Sequence, residues 1–66
     1  MTVTLNGGVR ELPDGTALVE LIEQLGLRPG SVVVEHNGQA LPRSAMDGVV
    51  LADGDRLELV RAVAGG

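Results

Sequence analysis

Few side chains in this 66-residue chain could do chemistry on their own. There is one histidine, His36, and neither cysteine nor tyrosine. Thiolate nucleophiles, thiolate metal ligands and disulfides are therefore excluded. Ser31 and Ser44 have no evident base partner, because His36 lies in a β-type run whose core-facing phase it shares. A structural or surface role, not proton transfer, is the expectation for that imidazole. Asn6-Gly7-Gly8 and Asp53-Gly54-Asp55 invite comparison with phosphate-binding and metal-binding loops. Neither has the Gly-x-x-x-x-Gly-Lys spacing of a P-loop or the ligand count of an EF-hand, so both read as turns. No catalytic side chain and no metal site are expected.

The remaining reactive group is the carboxylate of Gly66, which ends the sequence after Gly65. At this glycine content a pair at a fixed place arises by chance in about 2% of sequences. The pair therefore gains its meaning from what precedes it. A terminal carboxylate is activated only by entering the nucleotide site of another protein. Glycine lacks Cβ, so a Gly-Gly end can thread a narrow channel in backbone conformations closed to other residues. Ala62 to Gly66, fully extended, reach roughly 15 Å. Ionised at neutral pH, the carboxylate can attack the α-phosphate of ATP held by that partner, and the acyl-adenylate can then accept sulfur. Val63, Ala64 and Gly65 are the tail residues that would occupy the partner's channel.

These groups need a scaffold to present them. Val3 and Leu5 alternate with polar residues over 2–6, the period of a half-buried strand. Asn6-Gly7 favours the positive φ angles of a type I′ turn, and Val9 to Leu12 read as the returning strand. Pro13-Asp14-Gly15 is turn chemistry, and Thr16 is placed to cap a helix through its hydroxyl. Leu18, Leu21, Ile22 and Leu25 fall at i, i+3, i+4 and i+7, one apolar stripe on a helix of about three turns that Gly26 ends. A helix so short needs a packing partner. Ser31 to His36 form a β-branched run, turned by Asn37-Gly38 into a short edge strand, Gln39 to Leu41, that Pro42 stops. Residues 43–51 carry no decisive pattern, although Val49-Val50-Leu51 suits packing across one end of the core. Arg56 to Arg61 read as a last strand, with Leu57 and Leu59 inward and Glu58 and Val60 outward.

The resulting ββαββ order predicts an α+β fold of the β-grasp (ubiquitin-like) type, a mixed sheet with one main helix packed on one face. Residues 1–61 would form the domain and 62–66 a flexible C-terminal tail. Val3, Leu5, Leu18, Leu21, Ile22, Leu25, Val32, Val34, Leu57 and Leu59 are the expected core. Val33 and Val60 fall on the outward phase of neighbouring elements and are the expected partner-docking surface.

Composition narrows the function classes. Five arginines and no lysine oppose nine acidic residues, for a net charge of −4, and no residue is aromatic. Such a chain lacks both the basic surface and the stacking platforms of nucleic-acid binders and suits a basic partner surface. No apolar run approaches the ~20 residues that span a bilayer, and the first residues lack the pattern of a signal peptide. No membrane role and a cytoplasmic location are expected.

Along its whole length the sequence resembles the ThiS family, the sulfur-carrier proteins of thiazole (thiamin) biosynthesis. The resemblance rests on Asn6-Gly7, Leu18-x-x-Leu21-Ile22-x-x-Leu25, Val32-Val33-Val34-Glu35-x-Asn37-Gly38 and Leu41-Pro42-Arg43. It continues through Asp53-Gly54-Asp55-x-Leu57-Glu58-Leu59 to Val63-Ala64-Gly65-Gly66. Ser44, Ala45 and Met46 stand where many relatives carry an aromatic residue. The resemblance implies a β-grasp carrier that binds no cofactor, is adenylated at Gly66 by a ThiF-type enzyme using ATP, and becomes a C-terminal thiocarboxylate. Sulfur would come from a donor of the cysteine desulfurase type and pass to a ThiG-type thiazole synthase. The small subunit of molybdopterin synthase and carriers for other sulfur metabolites share such a tail. A ubiquitin-like modifier or a plain protein-binding module are the readings from other classes.

Overall fold

The two Asn-Gly dipeptides do what their backbone preferences dictate. Asn6 and Gly7 have φ of 49° and 82°, and Asn37 and Gly38 have 52° and 84°. Each pair closes a hairpin. In this computed structural model, which describes residues 1–62, the first hairpin joins β1 (Thr2–Leu5) to β2 (Gly8–Glu11). The second joins β3 (Val32–His36) to β4 (Gln39–Leu41). The last strand, β5 (Arg56–Arg61), runs parallel to β1 and antiparallel to β3. The five strands lie in the order β2-β1-β5-β3-β4. With one main helix on one face, this mixed sheet is the anticipated β-grasp arrangement.

That helix, α1 (Leu18–Gln24), is seven residues long, two turns rather than the expected three. Its start differs from expectation as well. The Thr16 hydroxyl donates to the Pro13 carbonyl at 2.7 Å and is spent inside the preceding turn. Ala17 occupies the N-cap, and its N–H donates to the Glu20 carboxylate at 3.1 Å. The chain around residue 17 is fixed instead by a bridge to Val50: Leu18 N–H donates to Val49 O and Leu51 N–H to Thr16 O. At the other end Gly26 takes φ of 77°, and the N–H groups of Gly26 and Leu27 donate to Glu23 O and Ile22 O, a Schellman closure. Leu25 thereby becomes the C-cap and is only half-buried.

The core holds Val3, Leu18, Leu21, Ile22, Val32, Val34, Leu57 and Leu59 as expected. Leu5 and Leu25 pack against its edge instead of inside it. Leu12, Met46 and Leu51 complete it. Met46 closes a four-residue helix, α2 (Arg43–Met46), within the stretch that had no legible pattern. The bridge at Val50 turns that side chain outward while Leu51 points in, so only part of 49–51 packs across the core.

Candidate functional site

The proposed chemistry depends on β5, which leads directly to residues 63–66. Its outward side chains alternate along the face opposite the helix: Arg56, Glu58 and Val60 are exposed. The register with β3 sets Val60 directly across from Val33 and Glu58 across from Glu35. Val33 and Val60 are 53% and 61% exposed, an apolar cross-strand pair open to a partner. The two glutamates place like charges opposite one another, which disfavours the pairing and concentrates negative potential beside the valines. Thr4, paired with Arg56, and Gly7 extend this surface into a shallow hollow that includes Glu35, Arg56 and Glu58. None of these lining residues is an activated nucleophile.

Two groups singled out from the sequence prove structural. The Ser31 hydroxyl donates to Arg28 O at 2.8 Å within a 3₁₀ turn, Pro29–Ser31. His36 is half-buried, with Nε2 at 2.9 Å from Asp55 Oδ2. Asp55 is buried and also accepts hydrogen bonds from Ala52 N–H at 2.9 Å and Asn37 Nδ2 at 3.1 Å. Burial pushes its carboxyl up, but the Ala52, His36 and Asn37 hydrogen bonds and the charge of His36 outweigh that and hold it below the ordinary carboxylate value. This cluster ties the β3–β4 turn to the loop before β5. Asp53 does the same for β1: its carboxylate accepts from Thr2 N–H at 2.7 Å. Among the described residues no group of His, Cys, Asp and Glu could hold a metal ion, and no helix is long and apolar enough to cross a membrane.

Val63, Ala64, Gly65 and Gly66 lie outside the described residues, as does most of the expected tail. Its root is in view: Ala62 N–H donates to Ser31 O at 2.7 Å. Sequence reasoning took Asn6 and Asn37 only as turn residues and missed their side chains. Asn6 pairs with the backbone of Leu59, and Asn37 Oδ1 accepts from Arg56 N–H at 2.8 Å. The position of each asparagine at a strand end was the available signal.

Residues 3–66 match the model of the ThiS family. Over all 66 residues the chain is 33% identical to the thiazole synthase of Paramagnetospirillum magneticum, and it spans 20% of that protein's length. It is 30% identical to the sulfur carrier protein ThiS of Escherichia coli, with 100% of both chains covered. The crystal structure of the thiamine biosynthesis protein ThiS of Geobacter metallireducens is similar with a TM-score of 0.83 at 32% identity, covering 100% of each chain. The solution structure of a thiamine biosynthesis protein from the same organism gives a TM-score of 0.80, with 88% of that chain covered.

Proposed function

This chain belongs to the ThiS family, and from that premise we propose that it is a sulfur carrier of thiamin biosynthesis whose working group is the Gly66 carboxylate. One observation carries the reading: the family match runs to residue 66 and so includes Gly65-Gly66. The full mutual coverage with the Escherichia coli carrier supports it. In this reading the protein is a co-substrate and not a catalyst. A carboxylate oxygen of Gly66 attacks the α-phosphorus of ATP in the site of a ThiF-type enzyme. The new P–O bond forms as pyrophosphate leaves, giving an acyl-adenylate. The outer sulfur of a persulfide on a cysteine desulfurase-type donor then attacks the acyl carbon and displaces AMP. A thiol reductant cleaves the S–S bond of the resulting acyl disulfide, leaving a thiocarboxylate and a disulfide on the thiol side. The likeness to a thiazole synthase supports a ThiG-type enzyme as the recipient. Val33 and Val60 serve as the docking patch, and 63–65 enter the partner's channel.

The test is an incubation of the protein with a ThiF-type enzyme, ATP, a sulfur donor and a thiol reductant, read by intact mass. The expected product is heavier by one oxygen-to-sulfur exchange, confined to the C-terminal peptide and absent without ATP. A protein that stays unmodified in the complete mixture, while a known carrier is converted, would refute the reading.

A further inference from the structure

Strand β5 is held at three points by groups outside the regular ladder. At its start, Asn37 N–H donates to Arg56 O at 2.8 Å while Asn37 Oδ1 accepts from Arg56 N–H. Near its end, Ser31 O accepts from Ala62 N–H. Between them stands Asn6. The β1–β5 register pairs Thr4 with Arg56 and Leu5 with Leu57, and the backbone contact ends where Asn6 N–H donates to Leu57 O at 2.9 Å. There the chain turns away toward β2. The Asn6 carboxamide takes over where β1 leaves off. Leu59 N–H donates to its Oδ1 at 2.7 Å, and its Nδ2 donates to Leu59 O at 3.1 Å. One side chain thus meets both the donor and the acceptor of one residue, as a neighbouring strand would. Asparagine suits the position twice, because it also tolerates the φ of 49° found there.

We propose that Asn6 is a positioning residue for sulfur loading: by completing β5 on its β1 side as far as Leu59, it fixes where and in what direction the chain leaves the sheet toward Gly66. The proposal rests on the reading that Gly66 carries sulfur. With the outer face docked on a partner, the carboxylate's placement depends on the geometry of the β5 end. Four residues follow Ala62, a reach of at most about 14 Å. A swing of about 10° at the root moves a point at that distance by roughly 2 Å. Misplacement on the order of 1 Å can slow a reaction ~100-fold.

Asn6→Gly keeps the turn, since glycine accepts the positive φ, and removes the bridge. Asn37→Gly removes the side-chain bond to Arg56 at the start of β5, far from the tail, together with the hydrogen bond to Asp55. Both are compared with wild type at a temperature where all are folded, by single-turnover thiocarboxylation and by amide hydrogen exchange. Asn6→Gly should speed exchange at Leu59 and slow thiocarboxylation, on the order of 10- to 100-fold, in the single-turnover rate constant at saturating activating enzyme. Asn37→Gly should leave the rate near wild type even if it lowers the melting temperature as much. Asn6→Asp, which keeps an acceptor for Leu59 N–H, should recover part of both losses. The proposal is overturned if Asn6→Gly loads sulfur as fast as wild type, or if Asn37→Gly is slowed equally, which would mark a general stability effect. A wild-type protein that takes no sulfur would instead overturn the carrier reading beneath it.

Discussion

Asp55 is buried, yet its environment favours the ionised form, because Ala52 N–H, Asn37 and His36 all donate toward it. A carboxyl lowered in the folded state adds stability above its unfolded value and loses it as pH falls through the folded one. The loss therefore belongs below about pH 4. Asp55→Asn should be less stable than wild type at neutral pH and show a shallower acid limb, measured by denaturant titration across that range. Superimposable acid limbs would remove Asp55 from that role. At the C-terminal Gly65-Gly66 pair, the expected chemistry needs Gly66 for reaction and Gly65 for access. Deleting Gly66 withdraws the carboxylate by roughly 3.5 Å. Gly65→Val adds bulk and restricts φ and ψ. Both should nearly abolish thiocarboxylation in the mass assay while leaving the melting temperature unchanged, because the buried core among the described residues runs from Val3 to Leu59. Adenylation of the shortened chain at the wild-type rate would contradict the assignment. At this scale the sequence offered Gly66 as a candidate reactive group and little of the side-chain hydrogen bonding that the structure shows around β5. Hydrogen bonds such as Asn6 to Leu59 join residues 53 apart in sequence and follow from register, which single-residue patterns do not encode.

Elements were more legible, because periodicity reports on burial directly. The 3.6-residue stripe found α1, and strict alternation found β5 with its inward leucines. Both Asn-Gly turns were readable from backbone preference. What escaped was set by tertiary contacts. Thr16 looked like a cap by type, but its hydroxyl donates to the Pro13 carbonyl, and the chain around Ala17 is held by the bridge to Val50, with the helix starting one residue later. α2 is too short for a period to show, and a single buried methionine anchors it. Within α1, Leu21 and Ile22 have no exposed surface. Leu21→Ala should lower unfolding free energy by ~2–5 kcal/mol in chemical denaturation, a large fraction of the ~5–15 kcal/mol typical of small proteins. A loss of under about 1 kcal/mol would show that the core can collapse around the site, and that α1 contributes less than its burial implies.

Taken whole, the described residues form a small acidic body with one aliphatic core between helix and sheet, and the outward side chains of β5 are exposed on the opposite sheet face. The Val33–Val60 pair lies on that face with Glu35 and Glu58 alongside, shared between β3 and β5, the last described strand before residues 63–66. In the proposed reading the partner that accepts Gly66 also docks on this face, and a net charge of −4 favours one with a basic surface. Val60→Asp tests the arrangement. The side chain is exposed, so the substitution opens no cavity, and its cost to folding should stay within the ~1 kcal/mol span of strand propensities. At the centre of an interface a buried carboxylate without a partner is far more damaging. Affinity for a ThiF-type enzyme should fall at least about tenfold, equivalent to ~1.4 kcal/mol, by calorimetry or by KM under loading conditions. Raising the salt concentration should slow association of the wild-type protein further, because exposed charges are screened within a Debye length of about 10 Å at 0.1 M. Unchanged binding by Val60→Asp would exclude the valine pair from the interface and leave the tail as the main point of contact.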